Sequence, residues 1–133
     1  MQRLTQRHFL EHEGLSDLLS LATFGNGWPT IKVKLSEFHL AEEDKYDCLE
    51  DKWAAILING GTLVVYDDYE VEELEEGEKP TKYTLTIKDV RKGLRLMKKN
   101  YPNHYNDLME ECEDAITGDV WLQLAVFGEL IYG

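Results

Sequence analysis

Apolar residues recur along this chain in two rhythms. Leu15, Leu18, Leu19 and Ala22 are spaced by three and four, the period of one helical face. Ser16 or Asp17 is placed to cap that helix, and Gly25-Asn26-Gly27 to end it. Ile31, Val33 and Leu35 then alternate with Lys32 and Lys34, the two-residue period of a half-buried strand. Ahead of these, residues 4–10 read as a short strand or an extended lead-in.

Helical spacing returns over residues 44–59, through Cys48, Leu49, Lys52, Trp53, Ile56 and Leu57, and stops at Asn59-Gly60-Gly61. Residues 62–66 are β-branched and aromatic and predict a strand, with 82–87 as its return. Residues 88–101 predict a third helix with Val90, Leu94, Met97 and Tyr101 on its buried stripe. Residues 105–115 and 119–127 predict two more, with Gly118 between them. Leu19–Gly25 echoes Leu122–Gly128, which reads as two buried helices that each end on a packed Phe and a glycine cap. The apolar closing stretch, 128–133, predicts a docked segment rather than a loose tail. Trp28, Trp53, Trp121 and Tyr66 each lie in an apolar stripe and are assigned to the core, ahead of a ligand pocket. The expected architecture is one α+β domain over residues 1–133: a small antiparallel sheet of two or three strands packed against four or five helices.

Charge changes the picture. The 133 residues carry a net charge of −12. Such a balance disfavours a nucleic-acid binder held by backbone contacts or an anionic membrane surface, and favours basic protein partners, cations or plain solubility. Residues 67–78 hold eight carboxylates and no Lys or Arg: Asp67, Asp68, Glu70, Glu72, Glu73, Glu75, Glu76 and Glu78. They lie between the two central strands, so an acidic hairpin or loop is expected over 67–81. Side chains on one strand face stand about 6.8 Å apart, whereas one DNA strand presents a phosphate per roughly 3.4 Å of axis. A DNA-like surface therefore needs a second acidic wall. Glu42, Glu43, Asp44, Asp47, Glu50 and Asp51 form one candidate; Asp107, Glu110, Glu111, Glu113 and Asp114 form another. The competing reading is a solvated hairpin tip.

Candidate chemistry is sparse. There is no Gly-rich phosphate loop and no Gly-x-Ser-x-Gly elbow. Residues 67–78 lack the alternating ligands and central glycine of a calcium loop. His8 and His12 are four apart and would share a helical face, but lack a third metal ligand. Cys48 and Cys112 have acidic neighbours and no metal or redox spacing, so buried or inert thiols in a reducing compartment are expected. Six cations crowd one predicted helix: Lys88, Arg91, Lys92, Arg95, Lys98 and Lys99. Pairing with the protein's own carboxylates, within a chain or between copies, is favoured over nucleic acid there. No catalytic residue, metal site or cofactor is assigned. No apolar run nears the ~20 residues of a membrane span, and the first ten residues show no secretion signal.

Several segments together resemble a loose group of small accessory proteins encoded by phages, prophages and mobile elements of gut-type bacteria. They are Thr23-Phe24-Gly25-x-x-Trp28, Cys48-Leu49-Glu50-Asp51-Lys52, Ile56-Leu57-Ile58-Asn59-Gly60-Gly61, Tyr83-x-Leu85-Thr86, Gly93-Leu94 and Phe127-Gly128-Glu129-Leu130-Ile131-Tyr132-Gly133. The resemblance implies an accessory protein in the cytoplasm of a bacterial host. By analogy it implies an inhibitor of host defence, of anti-CRISPR or anti-restriction type. The expected function is a non-enzymatic inhibitor that binds a basic nucleic-acid-binding surface of a host nuclease through residues 67–78, with Glu42, Glu43, Asp44 and Asp47 as second wall. The partner is then a basic protein, with no direct nucleic-acid or membrane contact. Sequestration of a small nucleotide signal, and a phage structural or regulatory role as a homo-oligomer, are the alternatives.

Overall fold

The computed structural model describes residues 3–42 and 45–133. The fold is α+β. Helix α1 is His12–Thr23, α2 Leu49–Ile58, α3 Asp68–Glu72, α4 Ile87–Asn100, α5 Pro102–Met109 and α6 Ala115–Phe127. Strands β1 (Pro29–Val33), β2 (Leu63–Asp67) and β3 (Tyr83–Leu85) form one antiparallel sheet in the order β1-β2-β3. Pro29 pairs with Asp67 at one end and Val33 with Leu63 at the other. Leu63 pairs on its far side with Leu85.

Helix α6 is the axis of the core. Its stretch Ala-Ile-Thr-Gly-Asp-Val-Trp-Leu-Gln-Leu-Ala-Val-Phe has no polar face, and Val120 through Ala125 are all buried. A helix that is mostly apolar around its circumference has to be covered by several neighbours. Helices α1 and α4 flank it, and β3 and α5 complete the cover. The approach is close enough to need glycine twice. A Cβ on Gly118 would stand 2.7 Å from the Leu21 backbone, and one on Gly93 would stand 2.9 Å from Ala125 Cβ and Trp121 Nε1. The Trp121 indole donates to the Val90 carbonyl (3.3 Å), tying α6 to α4.

Several expected boundaries move, each for a local reason. Residues 4–10 are not a strand; Gln6–Leu10 is a 3-10 turn that seats Phe9 in the core. Leu35 does not continue β1. It opens a 3-10 segment, Leu35–Ala41, and is 87% exposed. Helix α2 starts at Leu49, with Cys48 in extended conformation before it. The return strand ends at Leu85 because Thr86 and Asp89 form a capping box that starts α4. Gly118 does not separate two helices. The Asp114 carboxylate accepts from Thr117 N (3.0 Å) and starts α6 earlier, so the glycine lies inside the helix. The echo between α1 and α6 is only partial: Phe127 packs 5.0 Å from Trp28, but Phe24 is 82% exposed. His8 and His12 fall in different elements, and His12 stacks on Tyr46.

Alanine for glycine in a helix interior ordinarily gains about 1 kcal/mol. At Gly118 the added methyl meets main chain, which cannot turn aside, and overpacking of this kind costs about 1–3 kcal/mol. Gly118→Ala is expected to lower the thermal midpoint of unfolding. A raised midpoint would show that α1 and α6 are not in close contact.

Candidate functional site

Eight carboxylates in twelve residues repel one another, and half of them are used to fold the segment that carries them. Asp67 closes β2 and is 5% exposed. One of its oxygens accepts from Tyr69 N (3.1 Å) and starts α3; the other accepts from the Tyr132 hydroxyl. Asp68 N donates to the Trp28 carbonyl (2.7 Å), while both carboxylate oxygens accept from Thr30 Oγ1 (2.9 and 2.7 Å). Glu70 reaches across the loop to Thr81 N (2.7 Å) and to the Tyr83 hydroxyl (3.5 Å). Glu78 accepts from Glu75 N (2.8 Å), closing a turn in which Gly77 takes φ +87°. A side chain is strained at that φ.

The remainder take no part in folding the loop. Glu72, Glu73, Glu75 and Glu76 are exposed, and among the described residues no cation lies within ion-pair distance of them. Asp67 is therefore corrected from surface contact to buried anchor, and Asp68, Glu70 and Glu78 also serve the loop's own fold. The connection between β2 and β3 is accordingly a short helix followed by turns.

An aromatic group holds this loop to the body. The Tyr69 ring meets Tyr132 edge-on with centroids 5.0 Å apart, Tyr132 lies 6.3 Å from Trp28, and Tyr83 stands edge-on to Phe127 at 4.9 Å. Tyr132 is itself positioned by Gln123, a fully buried amide in α6. Gln123 Oε1 accepts from Ile131 N (2.8 Å) and Tyr132 N (2.9 Å). Its Nε2 donates to the Tyr132 carbonyl (3.2 Å) and to Asp119 (3.1 Å), and Asp119 accepts from the Trp28 indole (2.6 Å). Residues 128–133 are thus docked, as their apolar content implies. Gln123, Asp119 and Tyr132 escaped the sequence reading. The one available signal was Asp119 and Gln123, four apart on one face of a mostly apolar helix.

Beside the loop lies a groove of about 360 Å3 on the sheet, lined by Thr30, Lys32, Tyr66, Asp68, Val71 and Pro80. Tyr66, expected in the core, is half-buried here with Lys32 Nζ 5.9 Å from its ring centroid. Trp28, Trp53 and Trp121 are buried as expected. A second cavity of about 310 Å3 is lined by Asp17, Ser20, Leu21, Phe24, Glu113 and Ala115. Burial, with Glu13 nearby, pushes the Asp17 carboxyl up.

Of the expected second wall, Glu42 is reached from the sheet end opposite to the loop. The loop leaves the sheet at Asp67, opposite Pro29, whereas the chain departs toward Glu42 from Val33, at the other end of β1. Four residues of strand separate those ends by about 13 Å. Glu42 and Asp47 are exposed, and Glu42 pairs with Lys45 (3.7 Å). Glu43 and Asp44 lie outside the described residues. Asp51 faces the first half of α1, accepting from Ser16 Oγ (2.6 Å) and Cys48 Sγ (2.9 Å). Those two donors, Cys48 first, hold its carboxyl below the usual range, and the same bond raises the Cys48 thiol. Both cysteines are exposed rather than buried. At the end of the alternative wall, Asn26 Nδ2 donates to the Ala115 carbonyl (3.2 Å), which places the start of α6, next to Asp114, against the turn that carries Trp28. Among the described residues, no group of three or more His, Cys, Asp or Glu is placed to hold a metal ion. No helix there is long and apolar enough to cross a membrane.

Burial and the Asp67 carboxylate raise the Tyr132 phenol well above its ordinary value of 10.0. A raised folded-state value means a contribution that is complete below about pH 10 and lost as pH rises further. Tyr132→Phe strips the buried Asp67 oxygen of its donor, at a cost of about 1–3 kcal/mol. Denaturant unfolding of both proteins at neutral pH and above pH ~10 should show this gap at neutral pH and its narrowing in alkali. Equal stabilities at neutral pH would remove Tyr132 as the anchor.

Comparison with protein families, curated proteins and solved structures gives no match to this chain.

Proposed function

We propose that this is a non-enzymatic binding protein whose acidic loop occupies the basic, nucleic-acid-binding surface of a second protein. One observation carries the reading. Glu72, Glu73, Glu75 and Glu76 are held exposed on a loop anchored at Asp67, Asp68 and Glu70, so their charge is displayed rather than spent on folding. A pre-shaped element loses less freedom on binding than a floppy tail of equal charge. The adjoining groove, with Tyr66, Val71 and Pro80, offers apolar contact beside the glutamates.

The resemblance to phage and mobile-element accessory proteins suggests the partner class: a host defence nuclease in a bacterial cytoplasm, met by an inhibitor of anti-CRISPR or anti-restriction type. The alternative, sequestration of a small nucleotide signal, needs a basic, aromatic-lined pocket. The α4 cations line neither of the two cavities described above.

The test is inhibition of purified Cas-type and restriction nucleases by the wild type and by a Glu72→Lys, Glu73→Lys, Glu75→Lys, Glu76→Lys variant. All four side chains are exposed, so the circular-dichroism spectrum should not change. Inhibition of at least one nuclease should weaken as salt rises and be relieved by excess nucleic acid. The variant should lose at least about fourfold in affinity, since each of four exposed pairs contributes roughly 0.2–1 kcal/mol and reversal adds repulsion. Inhibition that survives the fourfold reversal would move the contact away from this loop.

A further inference from the structure

Helix α4 has an outward face as one-sided as the acidic loop. At ~100° per residue, Lys88, Arg91, Lys92, Arg95, Lys98 and Lys99 fall within an arc of about 120°, opposite Val90, Leu94 and Met97. They extend over about 16 Å of helix. Lys88, Arg91, Arg95, Lys98 and Lys99 are exposed and Lys92 is half-buried. Among the described residues, Lys92 alone of the six has a carboxylate within ion-pair distance, Asp89 at 3.6 Å. Lys98 instead lies 5.8 Å from the Tyr105 ring centroid. The chain therefore displays a basic row and an acidic loop, and none of the ion pairs among its described residues joins the two.

We infer that the outward face of α4 is a docking surface for the acidic loop of a second copy of this chain. Charge complementarity identifies the occupant: six cations in one strip meet the four exposed glutamates, Glu72, Glu73, Glu75 and Glu76, of a loop that already holds its shape. A long nucleic acid fits less well. The face has no aromatic or amide side chain to engage bases, and a molecule of net charge −12 repels a polyanion along its whole length. The same net charge shapes the association of copies. Repulsion between whole molecules acts over many ångströms and is screened at an ionic strength of about 0.1 M, where the Debye length is ~10 Å, while close pairs are screened less. Association is therefore strongest at intermediate salt and falls at both extremes. The inference rests on the reading of the loop as a contact element. It adds that self-association covers the loop until a more basic partner displaces the second copy.

The experiment is light scattering of the full chain across a salt series. At about 0.1 M salt the wild type should show a weight-average mass above the 15.4 kDa of one chain, and that excess should vanish at high salt. Two variants separate the parts. Lys88→Glu, Arg91→Glu, Arg95→Glu alters exposed side chains and keeps the Lys92–Asp89 pair. The fourfold loop reversal described above alters the other partner. Each alone should be monomeric with an unchanged circular-dichroism spectrum, and an equimolar mixture should regain the excess mass, because reversed loop then meets reversed helix. The α4 variant should keep nuclease inhibition while the loop variant loses it, so self-association and partner binding fail separately. A wild type that is monomeric at every salt concentration overturns the inference. So does a mixture that stays monomeric, or an α4 variant that associates unchanged. Loss of binding to a labelled DNA duplex by the α4 variant, with its mass profile unaltered, would assign the face to nucleic acid instead.

Discussion

Gln123 is the residue on which the exposed features depend. It is a polar amide with no solvent exposure, on a mostly apolar helix. A buried amide is tolerated when its donors and acceptors are met. Here they are met by residues 131 and 132 and by Asp119. The closing segment has to return to α6 to supply those partners, and in returning it carries Tyr132 to Asp67. Asp119 meanwhile fixes Trp28, whose carbonyl accepts from Asp68 N. The acidic loop is thus held by a chain of hydrogen bonds that begins in the middle of the core.

Much of the fold was legible because periodicity reports burial directly. The stripe Leu15, Leu18, Leu19, Ala22 and the stripe Val90, Leu94, Met97 are buried as their spacing implies. The paired strands follow the β-branched runs. What was not legible depended mostly on partners distant in sequence, and at Thr86 on a cap that competes with a strand pattern. Gly118 looks like a break between helices, but serves as a point of close approach to Leu21. Leu35 continues an alternating pattern, yet the strand has lost its partner by then, since β2 begins opposite Val33. Thr86 belongs to a strand-like run and is claimed by a capping box instead.

The candidate site was legible in composition and not in detail. Eight carboxylates stand out in any reading of residues 67–78, but their division into anchors and displayed charges depends on Thr30, Thr81 and Tyr132. Those donors lie eleven to sixty-five residues away along the chain. That the chain toward Glu42 leaves from the sheet end opposite to the loop follows from strand register. A one-residue alternation in sequence does not encode which end of the sheet a connection leaves from.

The carboxylates that shape the acidic loop accept from main-chain N–H groups or hydroxyls, not from lysine or arginine. Salt weakens attraction between ions far more than it weakens a hydrogen bond to a neutral donor. The loop can therefore lose its hold on a charged partner while keeping its own form. On the proposed function, ionic strength is then a reversible control on its interactions, with no refolding step between the bound and the released state.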